Sequence, residues 1–169
     1  EVQMTKIITG IGAPLPLTNV DTDVIMPKRF LVTITREGLA DGTFADLRFD
    51  NIGNQRSDFV LNKEPWKKAT ILIVGDNFGC GSSREHAVWG MRQLKIEACI
   101  GTSFAGIFYD NARKNGLALP IVSEEVRDSL LQFSSNTNGA EISIELSRRI
   151  IIAGDLSANF EMDDATLTS

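Results

Sequence analysis

Residues 69–94 read ATILIVGDNFGCGSSREHAVWGMRQL, and their pattern changes twice. Ile71-Leu72-Ile73-Val74 is a continuous apolar run, as expected of a strand buried on both faces. Gly75, Gly79 and Gly81 then break the pattern and open backbone conformations closed to other residues. From Ser83 the spacing becomes helical, with Ala87, Met91 and Leu94 on one stripe and Trp89 off it. The prediction is a strand, a glycine loop, and a helix whose first turn carries Ser82, Ser83 and Arg84. Unpaired N–H groups and the positive end of the helix dipole gather at such a turn, so an anion is favoured there. Two hydroxyls and a guanidinium suit a carboxylate or a phosphate. The plainer reading is a helix start, with Ser82 and Glu85 as a capping box and Arg84 solvated in the first turn.

Other glycine-loop motifs do not fit. The third glycine of a dinucleotide-binding GxGxxG falls on Arg84, and the loop has no lysine for a P-loop. A nucleophile elbow requires glycine two residues after its serine, and Ser82 is followed there by Arg84. His86, the single histidine, stands four residues from Ser82. A Ser82–His86 hydrolase is therefore one alternative, although no patterned third group orients the imidazole. Otherwise His86 reads as a helix residue packing behind the loop. A stand-alone anion-binding module, using residues 79–84 for phosphate, is another alternative, and the missing lysine counts against it.

The chain has 169 residues, enough for one domain with its own core, and a single domain over 1–169 is expected. With 43% hydrophobic and 23% charged residues it has the composition of a globular chain rather than a disordered one. A formal net charge of −5 with scattered Lys and Arg excludes the basic footprint of a nucleic-acid binder. No apolar run is long enough to span a bilayer as a helix, and no signal-peptide pattern opens the sequence. Two cysteines, Cys80 and Cys99, point to a reducing cytoplasm rather than a disulfide scaffold. They are too few for an iron–sulfur cluster, which takes about four thiolates. Glu1 is not an initiator, and Met4 is a candidate native start.

Residues 5–12 read as a strand ended by Pro14 and Pro16. Asn19 to Asp23 is a turn-rich acidic segment whose simplest use is closing Asx-turns; a metal site is the sharper reading, but EF-hand ligands do not follow. Residues 36–68 are polar and turn-rich, a long insertion expected as a lid or a partner-facing loop. Ala98 to Ser103 is a second short strand, and Phe104 to Asn115 a helix closed by Gly116. Leu117 to Val122 reads as a strand despite Pro120, and Ser123 caps a helix with Glu124 and Glu125 in its first turn. Ile142, Ile144 and Leu146 alternate with polar residues, and Ile150 to Ala153 returns as a hairpin. Strands alternating with helices predict an α/β fold with parallel βαβ units and a C-terminal hairpin.

Three stretches together carry a family resemblance: GDNFGCGSSREHAVWG at 75–90, NVDTDVIMPKRFL at 19–31 and TSFAGIFYDNARKNGL at 102–117. The chain resembles the small, swivelling-domain subunits of the aconitase superfamily from about Gly10 to about Met162. Within them it is most similar to the bacterial-type isopropylmalate dehydratase small-subunit family. The resemblance implies an aconitase swivelling-domain-like β/β/α layered fold. Family members run further than Ser169, so the C-terminus is expected to be either naturally short or trimmed.

The family reaction removes water from a small hydroxy-dicarboxylic acid and returns it with the hydroxyl one carbon over. By resemblance Ser82, as alkoxide, abstracts the carbon-bound proton, Arg84 grips a substrate carboxylate and Ser83 adds a hydrogen bond. Asp23 is implied as an active-site carboxylate that orients or balances a partner histidine, and Thr22 beside it as a substrate-binding residue. The 24–32 loop is implied to select the substrate side chain, with Val24, Ile25 and Met26 suited to an isopropyl group. Lys28 and Arg29 either meet a further carboxylate or are solvated. The leaving hydroxyl needs a Lewis acid, in this family an open iron of a [4Fe–4S] cluster. This chain is expected to bind no cofactor itself, so the cluster is implied on a large dehydratase subunit. Homoaconitate, citraconate and methylmalate hydro-lyase subunits are the alternatives within the same chemistry.

Overall fold

The computed structural model describes residues 7–31, 38–81, 85–136 and 138–162. Strand β1 (Ile7–Leu15) is followed by three four-residue helices, α1 (Thr22–Ile25), α2 (Leu39–Gly42) and α3 (Ala45–Arg48). Next come β2 (Ile71–Val74), α4 (Glu85–Gln93), β3 (Ala98–Ile100), α5 (Gly106–Lys114) and α6 (Glu124–Ser134). The strands β4 (Glu141–Glu145), β5 (Ile150–Ala153) and β6 (Leu156–Asn159) end the described chain. They form one mixed sheet in the order β3-β2-β1-β4-β5-β6. Its β1–β2 and β2–β3 pairs are parallel, and the pairs on the other side of β1 are antiparallel.

The continuous apolar run of β2 has a direct cause. All four residues are buried, but they serve two cores. Leu72 and Val74 face Ala87, Val88, Met91, Phe108 and Ala112 of α4 and α5. Ile71 and Ile73 face a second core with Leu130 of α6, Ile142, Ile144 and Ile151. Covering both faces of a parallel strand removes the polar alternation that a solvated face would require.

Pro14 does not end β1; it lies inside the strand, opposite Ile73. The amide of Gly12 points away from β2 to Ala140 O at 3.0 Å, and position 14 has the same orientation two residues on. β1 has passed the end of β4 there, so the missing N–H of Pro14 deprives no neighbour of a donor. Pro120 acts in the opposite sense. Residues 117–122 run beside β3 only through bridges at Ala118 and Ile121, because the position between them cannot donate. That segment is an interrupted edge, not a full strand, and β3 itself stops at Ile100.

The described part of the 36–68 segment is packed into the first core rather than standing off it. Leu39, Phe44, Phe59 and Trp66 are buried, and Trp66 Nε1 donates to Ser134 O at 2.8 Å. Its polar side chains close its many short turns. Gln93 Oε1 accepts from the amides of Leu39 and Ala40 (2.9 and 3.2 Å), and Arg48 donates to Ala40 O and Thr43 O.

The helix caps predicted at Ser123 and Gly116 are present. Ser123 Oγ accepts from Val126 N, and Gly116 closes α5 at φ 75°. The hairpin gains a third antiparallel strand, β6, that no apolar run announces.

Candidate active site

The parallel strands β1, β2 and β3 end side by side, Leu15 beside Val74 and Ile73 beside Ile100. Chain segments leaving the carboxyl ends of parallel strands are where α/β folds build their sites. Here those segments belong to the three stretches singled out above. Residues 75–81 run down the middle, with 17–22 on one side and 103–108 on the other.

Backbone hydrogen bonds fix this arrangement. Asn19 N donates to Asp76 O (2.8 Å), Gly79 N to Val20 O (2.7 Å) and Thr22 N to Cys80 O (2.9 Å). On the far side Asn77 N donates to Ser103 Oγ (2.8 Å), Phe78 N to Ser103 O (3.4 Å) and Ala105 N to Phe78 O (3.2 Å). The ring of Phe78 meets Phe108 edge-on, centroids 5.6 Å apart. Gly79 makes this possible. Its φ is 84°, and a Cβ there would stand 2.2 Å from Cγ of Phe108.

Gly81 lies against the start of α1, where a Cβ would stand 3.1 Å from Cβ of Asp21. Asp21 is the Asx cap the sequence suggested, its carboxylate accepting from Val24 N at 2.9 Å. That cap sets Asp23 in the first turn, half-buried, while Thr22 turns inward at 2% exposure.

Ser82, Ser83 and Arg84 lie outside the described residues. Their flanks, Gly81 and Glu85, are held to α1 and α5 respectively. The roles expected at Thr22 and Ile25 are altered by burial. Ile25 has no exposed surface and sits in the first core with Met26, so neither offers a face to a ligand. Half-buried Val24 is the apolar side chain of this turn with surface remaining. Arg29 is solvated but engaged, its guanidinium 2.7 Å from Asp46 Oδ1, and Lys28 is exposed. His86 meets Trp89 with the rings tilted by 57° and 4.8 Å between centroids, packing along its own helix.

Two side-chain networks escaped the sequence reading. The Asp76 carboxylate accepts from Thr102 Oγ1 and, at 2.8 Å, from Arg127 of α6. The hydroxyl of Thr102 is the main cause holding this carboxyl below its ordinary range, with the Arg127 charge assisting. Asn115, at the end of α5, binds Glu85 and Trp89 of α4. The only sequence signal for either was an Asp and an Asn standing at the ends of predicted elements, with partners 26 to 51 residues away. Cys99 is buried in β3, and that burial pushes its thiol pKa far up, whereas Cys80 is partly exposed. Among the described residues no group of three or more His, Cys, Asp or Glu stands together to hold a metal, and no helix is long and apolar enough to cross a membrane.

The sequence pattern of the aconitase C-terminal domain matches residues 2–125. The chain belongs to the aconitase C-terminal domain family. It is 49% identical over 159 residues to a 3-isopropylmalate dehydratase small subunit of Brucella canis, covering 93% of this chain and 79% of that one. The corresponding subunit of Mesorhizobium japonicum is 47% identical over 158 residues, with the same coverage. A solved 3-isopropylmalate dehydratase structure from Methanocaldococcus jannaschii superposes with a TM-score of 0.68 at 29% identity, covering 92% of this chain and 81% of that one. Within the aconitase family the chain is thus a member of the 3-isopropylmalate dehydratase small-subunit group.

Proposed function

We propose that this chain is the small subunit of a cytoplasmic hydro-lyase that interconverts 2-isopropylmalate and 3-isopropylmalate. It supplies the proton-abstracting half of a cleft shared with a large subunit. The difficult step is removal of a proton from the carbon beside a carboxylate. Ser82 takes that proton as alkoxide, a state that needs fixed donors because a serine hydroxyl is a very weak acid. Arg84 holds the substrate carboxylate with two parallel hydrogen bonds, a geometry lysine does not reproduce. Ser83 adds a donor. Asp23, from the neighbouring turn, orients a group of the partner, and Val24 takes over the side-chain contact first expected of Ile25. The large subunit brings the [4Fe–4S] cluster, whose open iron supplies the Lewis acid for the departing hydroxyl.

The observation that supports this reading is the convergence of the three motif stretches at the carboxyl ends of the parallel strands. The backbone bonds between residues 19–22 and 76–80 bring the Asp23 turn next to the loop that leads into Ser82.

Reconstitution with a large subunit tests it. The chain alone is expected to bind no iron and to have no dehydratase activity. In the reconstituted enzyme Ser82→Ala lowers kcat far more than it raises KM, whereas Arg84→Lys damages both. Wild-type turnover by Ser82→Ala refutes the base assignment. A substrate screen with the partner present separates isopropylmalate from homoaconitate, citraconate and methylmalate.

A further inference from the structure

We infer that Asn115 is a positioning residue, which sets the rotation and height of α4, the helix whose first residue, Glu85, follows the proposed reacting and binding groups in sequence. This rests on the reading of Ser82 and Arg84 as reacting and binding groups.

Both amide hydrogens of Asn115 and its carbonyl oxygen are engaged. Nδ2 of Asn115 donates to Glu85 Oε2 at 2.7 Å and to Asn111 O at 2.8 Å, and its Oδ1 accepts from Trp89 Nε1 at 3.1 Å. Glu85 and Trp89 are four residues apart, hence neighbours on one face of α4, one turn from each other. Gripping two turns from a single point fixes both how far the helix is rotated and how far it is slid along its axis. Apolar contact alone does neither as sharply. The opposite face of α4 packs through Ala87, Val88 and Met91, which tolerate small displacements that a hydrogen bond does not.

The anchor is itself rigid. Asn115 is the C-cap of α5, its backbone N–H bonded to Ala112 O at 3.1 Å, and Gly116 follows at φ 75°. The anchored end of α4 is the end that matters, because Glu85 directly follows Arg84. Glu85 is the carboxylate in contact with the amide. On the same turn His86 packs against Trp89 with tilted rings, and on α5 Arg113 faces Asp110.

The test uses the enzyme assembled with its large subunit. Asn115→Asp keeps the shape but turns the donor facing both Glu85 and Asn111 O into an acceptor, and the Glu85 contact is the one that carries a second charge. At pH 8 two carboxylates then oppose each other; at lower pH they share one proton and the hydrogen bond returns. The expected result is a kcat/KM loss on the order of tenfold or more at pH 8. Relative to wild type, that loss shrinks towards pH 6. Adding Glu85→Gln, which restores a donor to the pair, is expected to recover most of it. Wild-type kcat/KM at pH 8 overturns the inference, and so does a loss that neither pH nor Glu85→Gln relieves. If Asn115→Asp does not assemble, Asn115→Ala decides, measured where it is fully folded: lowered kcat/KM supports positioning and unchanged kcat/KM overturns it. Ser82→Ala measured alongside keeps the two ideas apart. Wild-type turnover there removes Ser82 as base, while the pH and rescue pattern at Asn115 is still read on its own.

Discussion

Replacing Gly79 by alanine tests whether the loop is seated as tightly as its contacts indicate. The residue sits at φ 84°, and the added Cβ would meet Phe108 at 2.2, 2.6 and 2.7 Å from Cγ, Cδ2 and Cβ. A non-glycine residue in this conformation costs about 1–2 kcal/mol. Forcing extra volume into a packed site costs about 1–3 kcal/mol. Alanine returns roughly 0.4–1 kcal/mol by restricting the unfolded chain. Phe108 is 3% exposed, flanked by Phe78, and is the near side of the ring rather than the tip of a flexible chain, so it has little room to give. The net expectation is about 3 kcal/mol, which for a chain of this size lowers Tm by ~6–12 °C. Thermal unfolding followed by circular dichroism measures it. Phe108→Ala in the Gly79→Ala background separates the two terms, since it removes the Cγ and Cδ2 that the new methyl meets and leaves the backbone strain. The double mutant should therefore be less destabilised than the two single losses added together. A Tm within 1–2 °C of wild type for Gly79→Ala, far less than this size class requires, would refute the reasoning, as would strict additivity with Phe108→Ala.

The Asp76 carboxylate is held below its ordinary value of 3.8 by Thr102 and then by Arg127. A depressed pKa contributes stability that is present above the unfolded value and lost as pH falls through the folded one. The Tm gap between wild type and Asp76→Asn should hold from pH 8 to pH 5 and close only below pH 4; a gap that closes between pH 7 and 6 would mean another group is responsible. Trp66→Phe leaves Ser134 O without its donor in a buried setting, for an expected loss of about 1–3 kcal/mol by urea unfolding. No measurable loss would mean the 38–68 segment is less firmly docked than its contacts suggest. Met91→Ala, at a fully buried position of α4, should cost about 2–5 kcal/mol. Arg29→Ala should leave Tm unmoved, because its pair with Asp46 is solvated on both sides.

What could be read from the sequence followed the range of the interactions involved. The strand at 71–74, the glycine loop to 81 and the helix at 85–93 were legible because periodicity and glycine are local signals, and the caps at Ser123 and Gly116 are equally local. Pro14 misled because its effect depends on which neighbour lies beside it. Pro120 occupies the position where that neighbour does need a donor. The 38–68 segment read as a polar insertion because its polar side chains close its own short turns while Phe44 and Trp66 are buried beneath. β6 has no apolar run because it is an edge strand with half-buried and exposed residues. Ile25 read as a pocket wall because the resemblance gives the 24–32 loop that role and Ile25 is apolar, yet in the turn of α1 Asp23 stays partly exposed while Ile25 is fully buried. Asp76 and Asn115 were unreadable because their partners lie on other elements.

The loop divides physically into a part already engaged and a part that follows it. The amides of Asn77, Phe78 and Gly79 are all engaged by Ser103 and Val20, so they are scaffold and unavailable to a ligand. The donors proposed for the substrate carboxylate, Ser82 to Arg84, come after that scaffold in sequence. A short segment with the proposed role needs its two ends fixed if its reach is to be reproducible. One end is fixed here by residues 19–22 and Ser103, and the other by an amide from the end of α5. That accounts for why the sequences at 19–31, 75–90 and 102–117 occur together in one chain: each supplies a wall or an anchor that the other two lack.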